Sequence, residues 1–426
     1  MEKILIITYY WPPSGGAGVQ RWLKFSKYLP EFGFEPIILT VDENQASYAQ
    51  HDYSLLKEIN PDLSVYKTKT FEPYNLYRKL TNKKEIPYGG FSNQKKVTFF
   101  EKLTRFIRGN LFVPDPRKGW NRYALKKAIE LVNAEQIGVV VTSGPPHSTH
   151  LIGRRIKERT GIRWIADFRD PWTDIYYYKS LYHSKLATRF DRYLEKSVLT
   201  EADKIITVSE EVGKLLLQKI PGHIEKIVVI PNGYDEEDFD LVEPVRNEKF
   251  TITYTGTISI SYRIDQFIEA VCQLPDRVKE QIKIRFVGNV PDEIIDLFHR
   301  KNLGALIEVL GYVPHKQAIS QMLGASILLM AIPDSPDNKG IVTGKFFEYL
   351  AAKRPILAIG PLDGEVDRMI NKCHAGKLVS YDETGEMRLF ILEIFEQEQR
   401  GQKGSQTKGT EQYTRRNLTK ELTENL

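Results

Sequence analysis

Two side chains three positions apart, those of Lys345 and Glu348, form the clearest chemical pair in the sequence. Their segment, residues 343–360, is predicted as a loop, a helix, a turn and a short buried strand. Helical spacing places both side chains on one side of the first turns. A helix N-terminus beside a lysine attracts phosphate, and a carboxylate one turn further on can accept hydrogen bonds from sugar hydroxyls. The pair predicts a pocket for a nucleotide diphosphate and its sugar, with an amphipathic surface helix as the alternative.

The residues around this pair set the limits of the predicted helix. Thr343 is the predicted N-cap, and Gly344 lies in the first helical turn. Pro355 cannot continue a helix, and the apolar run Ile356–Ile359 that follows is typical of a buried parallel strand. The phosphate-attracting end of the helix is therefore predicted at residues 343–345.

A glycine-rich loop follows the first predicted strand, Lys3–Thr8. It contains Gly15, Gly16 and Gly18 and leads into a helix and a second strand, which is the opening of a doubly wound α/β domain. The spacing lacks the G-x-G-x-x-G pattern of dinucleotide-binding enzymes, since Arg21 stands where the third glycine would be. The pattern therefore disfavours a nicotinamide-dependent oxidoreductase. Glycines here would also let a substrate or a phosphate approach the backbone closely.

Two later strands of the same predicted domain are followed by polar clusters. His147 comes soon after the strand at 137–142, as a candidate general base or acceptor-binding group, or as a loop histidine without a role. His150 falls inside the next helix, where a structural role is favoured. Asp170 follows the strand at 163–166 and is either a site residue or part of a local ion pair. Both clusters are expected on the same edge of the sheet as the glycine loop.

The predicted alternation of strands and helices occurs twice along the chain. The second series of strands and helices begins at Phe250, after an acidic linker near residues 235–248. We expect an α/β protein with two doubly wound, Rossmann-like domains. The predicted limits are 1–240 for the first domain, 241–400 for the second, and 401–426 for a flexible segment and a last helix.

Composition narrows the class of protein. The chain of 426 residues has no run of eighteen apolar residues and no signal-peptide pattern, and its two cysteines provide neither a disulfide framework nor a metal cluster. We expect a cytoplasmic protein without a metal. Residues 71–120 hold eleven Lys or Arg and four Asp or Glu, a local charge of +7 (11 − 4), and include a predicted amphipathic helix at 97–112. This segment suits an anionic membrane surface at the inner face of the membrane, or is simply a solvated insertion.

Several stretches, taken together and in order, resemble the GT-B fold glycosyltransferases, and family 4 of the glycosyltransferases in particular. The resemblance covers about residues 1–400. It rests on the glycine loop and on four further stretches: Ile-Val-Val-Ile-Pro-Asn-Gly-Tyr-Asp (227–235), Tyr-Thr-Gly-Thr-Ile (254–258), Leu-Gly-Tyr-Val-Pro (310–314) and Thr-Gly-Lys-Phe-Phe-Glu-Tyr-Leu-Ala-Ala (343–352).

The resemblance implies roles for particular residues. It implies an N-terminal domain that holds the acceptor, a C-terminal domain that holds the nucleotide-sugar donor, and a central cleft that both domains face. Gly16 and Gly18 would lie near the donor phosphates, and Glu348 would bind the ribose hydroxyls. The backbone around Val313 would meet the base, and the amides of Thr343–Lys345 would hold the diphosphate.

The sequence departs from the family pattern at three places. The family has a basic pair after the first strand of the second domain, whereas Arg263 is the basic residue nearby here, so Lys345 is expected to share its task. The first glutamate of the family motif falls on Gly340. His147 lies five residues past its strand, which sets it apart from the family histidine.

The function expected from these observations is transfer of a hexosyl or N-acetylhexosaminyl group from a UDP- or GDP-linked sugar to a glycan or lipid-linked acceptor. We also expect the reaction to retain the configuration of the sugar and to need no metal and no cofactor beyond the nucleotide sugar. The protein is expected to bind no nucleic acid and to act in cell-surface polysaccharide synthesis. The alternatives are a sugar-nucleotide epimerase of the same fold and a non-catalytic sugar-nucleotide-binding protein. The expected catalytic residues are His147, Asp170 and Lys345, and the expected donor-binding residues are Gly16, Gly18, Gly256, Arg263, Val313, Thr343, Gly344, Lys345 and Glu348.

Overall fold

The computed structural model describes residues 1–72, 99–175, 177–335, 338–402 and 406–426. The chain forms two compact units, Met1–Pro231 with Leu418–Leu426, and Asn232–Asn417. Each unit is a parallel β-sheet with helices, so the expected α/β class with two Rossmann-like domains is confirmed.

The first unit contains a seven-stranded parallel sheet in the order β3-β2-β1-β4-β5-β6-β7. Its strands are β1 (Glu2–Thr8), β2 (Phe34–Val41), β3 (Ser64–Thr68), β4 (Val139–Gly144), β5 (Arg163–Phe168), β6 (Lys204–Thr207) and β7 (Ile227–Val229). Its helices span Ala17–Tyr28, Phe99–Leu111, Asn121–Ala134, His150–Thr160, Lys185–Glu201 and Glu210–Leu217, with part of the last helix, Arg415–Thr423.

The second unit contains a six-stranded parallel sheet in the order β10-β9-β8-β11-β12-β13. Its strands are β8 (Phe250–Thr255), β9 (Ile282–Val287), β10 (Ile307–Gly311), β11 (Ile327–Ala331), β12 (Ile356–Ile359) and β13 (Gly376–Val379). Its helices span Asp265–Cys272, Asp276–Lys279, Asp292–Arg300, His315–Leu323, Gly344–Ala352, Glu365–Cys373 and Thr384–Gln399.

The strand order places one switch point in each sheet. β1 pairs with both β2 and β4, and β8 pairs with both β9 and β11, so the chain winds outward in both directions from β1 and from β8. In open α/β sheets, ligands bind outside the carboxyl ends of the strands at such a point. The loops after β1, β4, β8 and β11 are therefore the places to look for a site.

The burial of a strand affects how easily it is predicted from the sequence. Central strands such as β4 and β12 are buried along their whole length and read as apolar runs. The strands β3 and β13, each at one edge of its sheet, expose several side chains and contain no apolar run, and neither was predicted. The helix Glu365–Cys373, which precedes β13, was not predicted either.

The last residues of the chain complete the core of the first unit. Leu418 and Leu422 are buried in an apolar cluster with Ile4, Ile6 and Trp22. The guanidinium of Arg163 also donates to the carbonyl of Asn425 at 3.1 Å. No helix in the described part of the chain is both long and apolar enough to cross a membrane.

Candidate functional site

The N-terminus of helix Gly344–Ala352 is open and keeps its hydrogen-bonding groups available. A Cβ added at Gly344 would meet no atom within 4 Å. Thr343 has extended backbone angles but makes no side-chain cap, and its buried hydroxyl has no partner among the described residues. Because the first amides of a helix have no intrahelical acceptor, this end can receive an anion.

The Lys345 ammonium lies beside this end of the helix and packs on an aromatic ring. Its Nζ donates to the Tyr254 hydroxyl at 2.6 Å and lies 4.0 Å from the centroid of the Tyr254 ring. Burial lowers the pKa of Lys345 to about 7, against the opposing effect of Glu348. An incoming anion would restore the charge that burial disfavours, because an opposite charge raises the pKa of an amine.

Two glycines keep the loop after β8 close to this lysine. Gly256 has φ 93°, a conformation that favours glycine, and a Cβ there would lie 3.6 Å from the Lys345 Nζ. A Cβ at Gly288, after β9, would lie 2.4 Å from the Gly256 carbonyl oxygen. The structure thus brings Gly256 and Lys345, two of the predicted donor-binding residues, close together at the carboxyl end of β8.

Glu348 lies one turn further along the helix and is paired. Its Oε1 lies 3.0 Å from Nε2 of His315, the first residue of helix His315–Leu323. His315 follows Val313 by two residues, so this pair joins the loop that carries Val313 to the helix that carries Lys345. The sequence analysis did not identify His315 as a site residue.

Arg263 is engaged by carboxylates. Its guanidinium contacts Asp334 at 3.0 Å and Asp382 at 2.6 Å, and Asp334 and Asp382 follow β11 and β13 respectively. Its backbone is left-handed, with φ 45°. The sequence predicted Arg263 as a cation for the diphosphate, whereas in the structure its charge is already compensated. Lys345 is therefore the cation better placed for an anion.

In the first unit, His147 and His150 lie in an aromatic cluster after β4. The His147 ring stacks on Trp172 at 5.1 Å, and the His150 ring stacks on Phe168 at 4.5 Å. Neither nitrogen of His147 has a hydrogen-bond partner among the described residues, whereas Nδ1 of His150 lies 3.0 Å from the Thr142 hydroxyl. Burial lowers the pKa of His147 well below its usual value and that of His150 to about 3. Both rings are neutral near pH 7.

An ion pair lies deep beneath the glycine loop. Arg21 and Asp167 are fully buried and 3.0 Å apart. Trp22 and Ser143 also donate to the Asp167 carboxylate, at 2.7 and 2.9 Å. The guanidinium of Arg21 further donates to the Ile230 carbonyl at 2.9 Å. Arg21 thus holds the ends of β5 and β7 together.

The glycine loop itself starts helix Ala17–Tyr28. Gly16 is the N-cap, with φ 94°, and Gly18 lies in the first turn. The Arg169 guanidinium covers Gly18, because a Cβ there would lie 2.3 Å from its Nη1. Arg169 donates to the carbonyls of Gly144 and Pro145, at 3.2 and 2.7 Å. Asp170, next in the chain, is exposed.

The structure adds site residues that the sequence did not single out. Tyr254 lay inside a motif, but its ring was not expected under Lys345. Pairings such as His315 with Glu348 join residues 33 positions apart, and no local pattern indicates them. Among the described residues, no three His, Cys, Asp or Glu side chains are grouped so as to hold a metal ion.

Comparison with known proteins supports the class that the fold defines. The model of Glycosyltransferase Family 4 matches residues 87–238, and that of Glycosyl transferases group 1 matches residues 235–371. Together the two matches span more than half of the chain. The chain is a GT-B glycosyltransferase, and it belongs to the family 4 type, as the resemblance in the sequence indicated.

Solved structures of low sequence identity share the fold over nearly the whole chain. Anabaena HepE in complex with UDP has a TM-score of 0.62 at 13% identity and covers 99% of each chain. Sucrose-phosphate synthase from Thermosynechococcus elongatus has 0.61 at 15%, covering 100% of this chain and 98% of the other. A Listeria monocytogenes protein assigned as a UDP-N-acetylglucosamine 2-epimerase has 0.54 at 11%, covering 99% and 94%. No protein of curated function matches the chain at a significant level.

Proposed function

We propose that this glycosyltransferase moves a hexosyl or N-acetylhexosaminyl group from a UDP- or GDP-linked sugar to a glycan or lipid-linked acceptor, with retention and without a metal. The acceptor would bind to the first unit and the donor to the second. We further propose a role in cell-surface polysaccharide synthesis, in the cytoplasm, where the nucleotide sugar is the sole co-substrate. The UDP bound in HepE favours a uridine nucleotide.

One observation carries the proposal: the open N-terminus of helix Gly344–Ala352 lies beside the Lys345 ammonium. The first amides of a helix have no acceptor one full turn earlier and give this end a partial positive charge, and the lysine adds a full charge when protonated. A diphosphate carries negative charge that increases as the sugar leaves. Groups fixed in position for that charge stabilise the transition state more than the ground state.

The neighbouring residues would hold the rest of the donor. Glu348 would accept hydrogen bonds from the ribose hydroxyls, after exchanging or sharing its contact with His315. The backbone near Val313 would meet the base. Gly256 and the amides of Thr343, Gly344 and Lys345 would meet the phosphates, with Arg263 as an outer charge.

The chemical step follows from the charges. The bond between the anomeric carbon and the phosphate oxygen breaks, and its electron pair leaves with the diphosphate. The acceptor oxygen attacks the anomeric carbon from the face of the leaving group, which retains the configuration. The acceptor's proton passes to the departing phosphate oxygen, so no protein base is consumed.

His147 and Asp170 would then orient the reactants. His147 is buried and neutral, and its ring nitrogens have no partner among the described residues. One of them can therefore form a hydrogen bond with a sugar or acceptor hydroxyl. Asp170 is exposed at the end of β5 and is available to an acceptor hydroxyl. In this scheme neither side chain transfers the proton.

The decisive test is Lys345→Ala, with Lys353→Ala as the matched control at the other end of the same helix. A screen of UDP- and GDP-sugars by thermal shift first identifies a donor, since binding to the folded state raises its stability. Loss of one fixed electrostatic donor costs about 10²–10³-fold in kcat. Lys345→Ala should lose transfer on this scale, while Lys353→Ala should keep it. Near-normal turnover by a folded Lys345→Ala protein would refute the assignment.

A sugar-nucleotide epimerase is the second candidate, favoured by the shared fold of the Listeria protein, whereas Gly340 in place of a sugar-binding glutamate favours a non-catalytic binding protein. Incubation of the donor without any acceptor separates the two functions. Conversion to an isomeric nucleotide sugar identifies an epimerase, whereas transfer that requires an acceptor identifies a transferase. Binding without either reaction, lost in Glu348→Ala, identifies a non-catalytic binding protein.

A further inference from the structure

Helix Lys185–Glu201 buries one face and exposes two adjacent stripes of different chemistry. Leu186, Phe190 and Tyr193 are 51–79% exposed and follow one another at helical spacing. The neighbouring stripe is basic throughout. The exposed charged side chains of this helix are those of Lys185, Arg189, Arg192 and Lys196.

A second amphipathic helix is attached to the start of this one. Helix Phe99–Leu111 contacts residues 181–184 through Gly109, where a Cβ would lie 2.5 Å from the Leu181 carbonyl oxygen. The Asn110 side chain donates to the Tyr182 carbonyl at 3.1 Å and accepts from the Ser184 amide at 2.7 Å. The helix agrees with the predicted segment 97–112, except that Arg105, expected beside the apolar face, is buried.

This second helix also exposes apolar side chains at helical spacing. Its exposed apolar residues are Leu103, Phe106, Ile107 and Leu111, at 40–67% exposure, and Tyr182 lies in the connecting segment. Such side chains are costly to leave in water, and a contiguous set of them on one protein marks an interaction surface. Lys102 is exposed on the same helix.

A concave pocket lies within the basic stripe. Its volume is about 360 Å³, and it is lined by His183, Lys185, Thr188, Arg189 and Arg192. Arginine and lysine donors with a threonine hydroxyl are the groups that bind phosphate. The surface therefore combines exposed apolar side chains with a depression lined by basic side chains.

We propose that this basic–apolar surface docks on an anionic lipid bilayer. Its members are Leu103, Phe106, Ile107, Leu111, Tyr182, Lys185, Leu186, Arg189, Phe190, Arg192, Tyr193 and Lys196. Apolar side chains insert at the boundary of head groups and acyl chains, while the basic side chains meet lipid phosphates.

Charge decides between a bilayer and other occupants. In a two-fold dimer the same patch faces itself, so four exposed basic side chains of each copy would approach the same four of the other. Like charges brought together across an interface are unfavourable. Nucleic acid would satisfy the charges but would leave the leucine and phenylalanine side chains without an apolar partner. The surface extends beyond the basic segment at 71–120, and it does not depend on the proposed reaction.

Vesicle flotation of the full-length protein tests the proposal. The probes are vesicles of phosphatidylglycerol mixed with phosphatidylcholine, and vesicles of phosphatidylcholine alone. The apolar variant is Leu186→Ser with Phe190→Ser, and the basic variant is Arg189→Gln with Arg192→Gln. The matched controls, on exposed residues of the second unit, are Leu389→Ser and Arg277→Gln with Lys316→Gln.

The native protein and both controls should float with the anionic vesicles and bind neutral vesicles weakly. Each lost basic residue should weaken anionic binding by about fivefold, and this effect should fade with salt. The apolar variant should lose about tenfold or more at any salt concentration. Equal binding by native protein and both variants would overturn the proposal. The proposal would also be overturned if the native protein bound no vesicles but self-associated in sedimentation, and the apolar variant did not self-associate.

Discussion

The strand ends of the two units carry similar polar residues in different physical states. In the first unit, Arg21 and Asp167 are fully buried and satisfy each other, and His147 and His150 are packed between aromatic rings. In the second unit, the helix at Gly344 begins in open space with Lys345 beside it. One set of charges holds the strands in place, whereas the other remains available to a ligand.

This difference shows why a charged residue at a strand end is weak evidence for a site. Arg21 and Lys345 both lie in a helix that follows a strand at the switch point of its sheet, but the Arg21 guanidinium is paired with a carboxylate and donates to two backbone carbonyls. The charge on Lys345 is disfavoured by burial, and Glu348 opposes this effect only in part, since the pKa of Lys345 stays at about 7. An anionic substrate can supply the counter-charge that such a cationic group lacks.

The largest expected effect concerns the ion pair of the first unit. Asp167→Asn leaves the Arg21 guanidinium buried without a counter-charge, which costs about 3–5 kcal/mol of stability. The matched control is Glu201→Gln, which breaks the partly exposed Arg154–Glu201 pair and should cost less than about 1 kcal/mol. Differential scanning calorimetry measures both changes. Equal, small shifts for the two variants would show that the comparison between the units is wrong.

A second prediction concerns pH and the second unit. Protonated Lys345 attracts a diphosphate, and its pKa is about 7 in the free protein, so affinity for a nucleotide sugar should fall as pH rises above 7. The loss approaches tenfold per pH unit until the pKa of the complex is reached. Isothermal titration calorimetry between pH 6 and 9 gives the profile. Lys345→Arg stays charged and should flatten it, and a flat profile in the native protein contradicts the assigned role of Lys345.

The smallest expected effect on stability concerns two glycines, Gly344 and Gly18, that each lie in the first turn of a helix. Gly344→Ala meets open space and should change stability by less than about 1 kcal/mol, whereas Gly18→Ala displaces the Arg169 guanidinium and should cost about 1–3 kcal/mol. If the diphosphate lies at the helix end, Gly344→Ala should still weaken nucleotide-sugar binding. Thermal melting with and without the donor measures both quantities. Unchanged donor affinity in Gly344→Ala would move the diphosphate away from this turn.

Much of the fold was predictable because local patterns follow burial. The strand Ile356–Ile359 was predicted with the bounds that the structure has, and the predicted N-cap Thr343 precedes the helix that begins at Gly344. The strands β3 and β13 were missed, because Ser-Val-Tyr-Lys-Thr and Gly-Lys-Leu-Val contain no apolar run, unlike the Ile-Val-Val of the partly exposed edge strand β7. Residues 73–98 of the basic segment 71–120 lie outside the described residues, and the membrane contact predicted for this segment stays a prediction.

The sequence by itself determined the repeated α/β pattern, the glycine loop and the lysine at the head of a helix. These are local properties, set by apolar periodicity, by glycine and by residues a few positions apart. The tertiary structure decided which charges are available. Asp167 meets Arg21 across 146 positions, Arg263 meets Asp382 across 119, and the Tyr254 ring lies under Lys345 across 91. Compensation of a charge depends on such distant neighbours, so only the folded chain distinguishes Lys345 from Arg21 and Arg263.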